Sequence, residues 1–370
     1  MNIAFAVTRL TKYDAASNYT AAVIEELSRN NTVDLYAFSI ERETPKSIEQ
    51  YSYTGKNEHS LLSVLSVTTK IYSLAKKFSN YDIVVLTGPD ITILPSIHLA
   101  KRFNPDLKLV WDFHGLTPPQ FLQGSKHRFL TIIRQTAYIW SMKRSDCIKV
   151  DSNYIKKEVE SKTGKMNIKV LPIGINTTIF KDADIEAQRD RLHLNDKFVM
   201  LYVGRLAASK RVNFLIKAMQ ALDEAVLLVA GGGEERDKLK NLAHSLNLED
   251  KVIFIGRVSD EDLPKYYSMS DVFVTASLHE GFCVPIIESF ASGKPVIVPD
   301  RTAMPEIAGD AGLVYESGLI NDFVSKVQIL RNDSNLREQL SRKASDRSKK
   351  FDLKNSVKKY EEFLENMMGF

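Results

Sequence analysis

The sequence is poor in cysteine: Cys147 and Cys283 are the 2 in 370 residues, and they lie far apart. Nothing here implies a disulfide framework, and the usage fits a reducing cytosol. No run approaches the ~20 consecutive apolar residues that a bilayer span needs. Low-complexity tracts and fixed-period repeats are absent, which sets aside collagen-like and disordered chains. The dinucleotide fingerprint G-x-G-x-x-G is missing: Gly231-Gly232-Gly233 runs into Glu234-Glu235-Arg236, so an NAD-type site is disfavoured. His127, His193, His244 and His279 have no metal-ligand spacing. The chain shows no nucleic-acid motif, and a net charge of +4 is a weak electrostatic footprint. The apolar start Met1–Val7 lacks a basic leader and a small-residue cleavage site, so it reads as a first strand and not as a secretory signal.

What is present is a globular composition, 44% hydrophobic and 26% charged, with length for about two domains. Charge is unevenly spread. Residues 1–175 hold 23 Lys+Arg against 16 Asp+Glu, and the rest hold 27 against 30. A basic first half attracts an anionic surface or substrate, or is a solvated surface with chance asymmetry.

Short apolar runs alternate with helical patterns. Ile3–Val7, Val33–Phe38, Ile83–Leu86, Lys108–Trp111, Cys147–Val150 and Lys169–Leu171 read as strands. The pattern restarts with Phe198–Val203, Val226–Ala230, Val252–Ile255, Asp271–Thr275 and Val296–Val298. Such alternation predicts parallel sheets covered on both faces, hence two doubly wound α/β domains with ligands at the strands' carboxyl ends and a cleft between them. The expected division is a first domain at 1–176, a charged linker at 177–197 containing Lys181-Asp182-Ala183-Asp184, a second domain at 198–352, and a tail helix at 353–370 that packs across both domains or within the second. Residues 126–144 interleave Phe129, Ile132, Ile133, Tyr138, Ile139 and Trp140 with Arg128, Arg134, Lys143 and Arg144. That pattern suits a helix in a membrane interface, or core packing with a basic solvated side.

Two stretches carry chemistry. In the first, a strand ends at Gly204, and Arg205 and Lys210 follow across a turn. A forked guanidinium and a point ammonium suit a diphosphate, although both residue types are also common on surfaces. In the second, Glu280-Gly281-Phe282-Cys283-Val284-Pro285 leads into a short helix carrying Glu288 and closing at Gly293. Free N–H groups around Gly281, Phe282, Cys283 and Val284 would face a phosphate. Glu288, among Ile286, Ile287 and Phe290, suits paired sugar hydroxyls better than solvent. Cys283 has no histidine neighbour and reads as a small apolar filler. The acidic triplet Asp260-Glu261-Asp262 follows Ser259 and precedes Leu263-Pro264, which fits helix capping better than metal binding.

The Gly204-Arg205…Lys210 and Glu280-Gly281-Phe282…Glu288 elements together resemble the signatures of the retaining GT-B glycosyltransferases of family GT4. The resemblance implies two Rossmann-like domains, a nucleotide-sugar donor with a UDP or GDP base, no metal and no other cofactor. It implies that Arg205 and Lys210 neutralise the donor diphosphate, that Glu288 holds the ribose, and that Glu280 contacts the transferred sugar. It further implies that the backbone at Gly256-Arg257-Val258 holds the base and that His114 lies near the donor sugar. Leu171-Pro172-Ile173-Gly174-Ile175-Asn176 resembles the family's domain-crossing segment. Two departures stand out. The first strand–helix loop reads Lys12-Tyr13-Asp14-Ala15-Ala16-Ser17-Asn18, without the family's glycine pair, and Gly115 follows His114 in place of the usual Asp. The implied activity is transfer of a hexose to a saccharide or lipid-linked glycan acceptor in glycan or glycolipid assembly. The implied setting is cytoplasmic, with peripheral contact at the inner membrane surface through residues 126–144. The rivals are a sugar-nucleotide epimerase on the same fold and a non-catalytic nucleotide-sugar-binding protein.

Overall fold

A computed structural model describes the chain except for residues 11–14, 41–48, 53–60, 116–117, 119–124, 181–188, 191, 193, 195 and 370. The loop residues Lys12–Asp14, the stretch Lys181–Asp184, His193 and the side chain of His127 therefore lie outside the described residues. Two compact units are present, Met1–Gly174 with Lys354–Phe370, and Ile175–Leu353. The stretch 177–197, read above as a linker, counts with the second unit where it is described. Phe180 meets Tyr267 edge-on at 5.7 Å, and Arg189 donates to the Met269 carbonyl at 2.6 Å. The tail helix counts with the first unit, not the second.

The first unit carries β1 (Asn2–Leu10), β2 (Thr32–Ile40), β3 (Glu49–Ser52), β4 (Ile83–Thr87), β5 (Lys108–Phe113), β6 (Cys147–Val150) and β7 (Ile168–Val170). Its helices are α1 (Ala15–Leu27), α2 (Leu61–Phe78), α3 (Leu94–Phe103), α4 (Ser125–Met142) and α5 (Asn153–Thr163). The second carries β8 (Phe198–Val203), β9 (Ala225–Ala230), β10 (Val252–Gly256), β11 (Val272–Val274), β12 (Val296–Pro299) and β13 (Gly312–Tyr315). Between and after these run α6 (Val212–Ala218), α7 (Arg236–Ser245), α8 (Leu263–Met269), α9 (Val284–Ala291), α10 (Met304–Ala308), α11 (Ile320–Asn332) and α12 (Ser334–Ser348), and α13 (Leu353–Met368) closes the chain.

The strand orders are β3-β2-β1-β4-β5-β6-β7 and β10-β9-β8-β11-β12-β13, and the paired strands are parallel. Strands such as β4 and β9 are buried on both faces, which is why they read as apolar runs, and β6 is buried likewise although it carries Lys149. One sequence device sets their starts. An aspartate directly before β4, β6 and β11 accepts the first free N–H of the neighbouring strand: Asp82 from Asn2 at 2.8 Å, Asp146 from Leu109 at 2.7 Å, Asp271 from Val199 at 2.7 Å. Each of these strand-start donors is thereby satisfied. Helices are punctuated locally, as in α5, where the Ser152 hydroxyl accepts from Ile155 N and Gly164 ends the helix at φ 69°.

Two strands escaped the sequence reading. β3 is Glu49-Gln50-Tyr51-Ser52, a polar edge strand, and β13 is a four-residue edge with Val314 exposed. β3 lacks the apolar run that marks an interior strand, whereas β13 does carry a short one, Leu313-Val314-Tyr315, that the sequence reading leaves out. Among the described residues no helix is long and apolar enough to cross a membrane.

In both sheets the strand order reverses once, between β1 and β4 and between β8 and β11. There the connections leave in opposite directions and the carboxyl ends stand open. Beside the second reversal the turn after β9 packs directly on the turn after β8. A Cβ on Gly231 would stand 1.9 Å from the Gly204 carbonyl oxygen, whereas the nearest atoms to one on Gly232 belong to the exposed Arg257 side chain, at 3.2 Å and beyond. Gly231→Ala should therefore lose about 3 kcal/mol of stability through overpacking and positive-φ strain, and Gly232→Ala less than about 1 kcal/mol. Urea titration of the two variants checks the contrast; equal losses would contradict it.

Candidate active site

The second unit assembles its site at the β8/β11 reversal. β8 delivers Gly204 and Arg205, and a 3-10 turn (Ala208–Lys210) delivers Lys210. The loop after β11 delivers Glu280. The two loops are tied by Leu278 N donating to the Ser209 carbonyl at 2.8 Å. Across that tie Lys210 Nζ reaches Glu280 Oε1 at 2.5 Å, with both side chains about one-fifth exposed. Glu280 is also steadied by its backbone N–H, which donates to Thr302 Oγ1 at 3.3 Å.

Arg205 lies apart from this pair. Its guanidinium grips Glu234 through NH2 at 2.9 Å and Nε at 3.3 Å, in the glycine-rich turn after β9, and stays mostly exposed. The strand ends are sewn together beneath it, with Gly204 N donating to the Ala230 carbonyl at 3.0 Å and Gly231 N to the Gly256 carbonyl at 2.7 Å. Arg257 is exposed and Gly256 and Val258 are half-buried, at the end of β10.

After Glu280 the chain turns sharply. Gly281 is half-buried, and Phe282, Cys283 and Val284 are buried. Cys283 adopts φ 71° as the residue before α9, and no side chain caps that helix. A left-handed non-glycine residue is strained backbone of the kind that persists at functional sites. Burial raises the Cys283 thiol well above its usual range, so it stays protonated and fills space. One turn into α9, Glu288 Oε2 accepts from the Tyr267 hydroxyl at 2.7 Å. Enclosure by apolar neighbours pushes the Glu288 carboxyl up to about 7.

The first unit has its own polar centre at the ends of β5 and β6. His114 Nδ1 is 2.7 Å from Asp151 Oδ2, and its Nε2 is 3.6 Å from Asp112 Oδ1. Lys149 Nζ lies 2.7 Å from Asp151 Oδ1 and 2.9 Å from Asp112 Oδ1. Lys149 and Asp151 are wholly buried. The tail helix closes the group from behind, with Tyr360 donating to Asp112 Oδ2 at 3.0 Å and Ser356 donating to the Pro172 carbonyl at 2.8 Å. Asp112, His114 and Asp151 hold ligand atoms within 4.8 Å of one another. The Lys149 ammonium already occupies the cation position between the two carboxylates. Beside His114 lies a cavity of about 270 Å³ lined by Thr8, Ser17, Thr20, Thr87 and Tyr138 among others. It opens at the β1/β4 reversal. Among the described residues, Thr20 Oγ1, Thr87 Oγ1, Asp112 Oδ1 and His114 Nε2 are buried without a hydrogen-bond partner, Asp112 Oδ1 being paired with the Lys149 ammonium by charge.

The structure thus brings Lys210 to Glu280, pairs Arg205 with Glu234, rests Glu288 on Tyr267, and sets His114 on Asp151. The sequence reading missed Asp112, Lys149, Asp151, Tyr267 and Tyr360. A signal existed for three of them: charged residues inside the apolar strands Lys108–Phe113 and Cys147–Val150, or at the strand's end. The acidic triplet behaves as a helix entry, where Asp262 N donates to Ser259 Oγ at 3.2 Å and Asp262 pairs with Lys265 at 2.8 Å.

The sequence profile described as Glycosyl transferases group 1 matches residues 184–347, and that described as Glycosyltransferase Family 4 matches residues 16–179. The uncharacterized glycosyltransferase MJ1607 of Methanocaldococcus jannaschii is 35% identical over 166 residues, 42% of this chain and 43% of that protein, so the match spans less than half the length of that relative. A GDP-mannose-dependent alpha-(1-6)-phosphatidylinositol monomannoside mannosyltransferase of Mycobacterium tuberculosis is 26% identical over 284 residues, 68% of this chain and 72% of that one. The crystal structure of Anabaena HepE in complex with UDP superposes with a TM-score of 0.81 at 17% identity, covering 99% of this chain and 100% of that one. The fold is GT-B, with two Rossmann-like α/β domains.

Glu288 yields a pH-dependent test. Its carboxyl binds a proton more tightly folded, at about 7, than unfolded, near 4.5. The cost of holding it charged is therefore absent below about pH 4.5, grows as pH rises, and is complete above about pH 7, at up to about 3 kcal/mol before screening by the water it still meets. Glu288→Gln should match the parent in stability at pH 4.5 and exceed it at pH 8. Denaturation at the two pH values reads this directly, and a pH-independent difference would refute the cause given.

Proposed function

The chain belongs to the glycosyltransferases that the profiles Glycosyl transferases group 1 and Glycosyltransferase Family 4 describe, and on that premise we propose that it moves a hexose from a nucleotide-diphosphate sugar to an acceptor hydroxyl, with retention of configuration and without a metal. The observation that carries the proposal is the Lys210–Glu280 contact of 2.5 Å at the open carboxyl ends of β8 and β11. It couples a cation suited to phosphate with a carboxylate suited to sugar hydroxyls.

The chemistry follows from charge. Breaking the glycosidic bond leaves negative charge on the diphosphate. Lys210, Arg205 and the amides at the start of α9, which no side chain caps, would stabilise that charge, the two cations exchanging part of their carboxylate contacts for the phosphate. A donor diphosphate at Lys210 would share the ammonium with Glu280, leaving a carboxylate oxygen to orient the sugar. Glu288 accepts the two ribose hydroxyls, a role that requires the ionised form. The backbone at Gly256-Arg257-Val258 takes the base. In the first unit, His114 serves the donor sugar, and the cavity with the unpartnered Thr20 and Thr87 hydroxyls takes acceptor hydroxyls. Attack from the leaving-group face accounts for retention.

The acceptor we favour is a lipid-linked glycan or glycolipid at an anionic membrane surface. On α4, Phe129, Leu130, Ile132, Ile133 and Trp140 are 40–63% exposed, beside exposed Arg134, Lys143 and Arg144. An apolar face with basic flanks fits a bilayer interface of anionic lipid. The mycobacterial relative, whose name specifies a phosphatidylinositol-based acceptor, supports this. The working location is then the cytoplasmic side of the inner membrane.

Lys210→Ala and Glu280→Ala should each lower turnover by ~10²-fold or more, read as transfer and donor hydrolysis on folded protein; near-normal rates refute the assignment. A thermal-shift panel of uridine, guanosine and adenosine diphosphates and their sugars identifies the donor through stabilisation by mass action. An epimerase would isomerise donor without acceptor, and a binding protein would do neither. Flotation with anionic vesicles should retain the parent and lose the double variant Ile132→Asp/Ile133→Asp by at least tenfold. Equal binding of both proteins, or binding of neither, rules out the α4 face as the lipid contact.

A further inference from the structure

The buried centre behind His114 has a charge state that its geometry dictates. Both ring nitrogens face carboxylate oxygens: Nδ1 faces Asp151 Oδ2 at 2.7 Å, and Nε2 faces Asp112 Oδ1 at 3.6 Å. An ionised carboxylate only accepts, so a ring nitrogen opposite one is favoured as an N–H donor, and a lone pair there is repelled. Two protonated nitrogens make an imidazolium. The charge count agrees. Asp112 and Asp151 are buried with one ammonium, Lys149, between them. An uncompensated buried charge is costly, and a cationic His114 brings the group to neutrality.

We infer that Asp151, clamped by Lys149, is a positioning residue that holds His114 as a fixed imidazolium beside the first unit's cavity. The framework around it is rigid. Asp151 follows β6 directly, and Lys149 lies within β6. Lys149 Nζ also sits over the rings of Tyr19 at 5.1 Å and Tyr360 at 5.7 Å, so its ammonium is enclosed by π faces as well as by carboxylates. Tyr360, from the far end of the chain, holds the second oxygen of Asp112 through its hydroxyl. The groups facing His114 or its partners are therefore Asp112 from β5, Lys149 and Asp151 from β6, Tyr19 from α1 and Tyr360 from α13, with Tyr138 of α4 across the cavity. The two aspartates hold the imidazole above its ordinary range, against the opposing effects of burial and of Lys149. A cation fixed there favours lone-pair or anionic groups of a ligand, and favours negative charge that develops near it. Its role in transfer rests on the glycosyltransferase reading above; its charge state does not.

The test separates the two. In protein with 15N-labelled histidine, the His114 signals, assigned by their loss in His114→Gln, should report an imidazolium at pH 7, with a titration midpoint above the ordinary ~6.5. Asp151→Asn should lower that midpoint by at least one unit. The pH profile of transfer should shift acid-ward by the same amount, with donor KM changed less than twofold. A purely structural Asp151 would lower activity at every pH alike. A neutral His114 at pH 6.5 in the parent protein overturns the inference and needs no variant to fold, and so does a midpoint that Asp151→Asn leaves in place. If His114 is an imidazolium yet His114→Gln transfers sugar at the parent rate, it is the assignment of His114 to the glycosyltransferase site that fails.

Discussion

The single constraint on which the rest depends is the reversal of strand order in each parallel sheet. Where β8 lies between β9 and β11, and β1 between β2 and β4, the chain leaves neighbouring strands in opposite directions. No connection covers the carboxyl ends at that point, so backbone amides, side chains and solvent meet there. Lys210 and Glu280 come from the two strands that flank one reversal, and the cavity beside His114 opens at the other. The chemistry is placed by topology before any side chain is chosen.

Several residues around the second reversal sit in locally costly conformations or environments. The glycines between β8 and β9 let two loops touch at carbonyl distance, which any side chain would prevent. Cys283 holds a left-handed backbone, and Glu288 keeps a carboxylate where burial favours its acid form. Each feature costs folding energy. The buried Lys149 group differs in kind. There the Lys149 ammonium is paired with two carboxylates, Asp112 and Asp151, away from solvent.

The two halves of the molecule use related means. Both start interior strands with an aspartate that accepts from the neighbouring strand, and both leave polar groups at strand ends. They differ in how charge is held: as a partly exposed ion pair in the second unit and as a sealed group in the first. A partly exposed pair can exchange partners with an incoming anion at modest cost, whereas a sealed group keeps its charges in place.

Much was legible in the chain itself. The apolar strands, the alternation that makes sheets parallel, and the Gly204…Lys210 and Glu280…Glu288 spacings are local patterns, and local patterns survive in one dimension. The polar edge strand β3 carries no such pattern. The partners of the site residues were beyond reach for a related reason. Lys210 and Glu280 are 70 residues apart, and Asp112 and Tyr360 are 248 apart. Their meeting depends on which strand neighbours which and on where the last helix returns. The sequence determined which groups the molecule would offer at its strand ends; only the tertiary structure decided which of them touch, because adjacency across a sheet is a property of strand order and not of sequence distance.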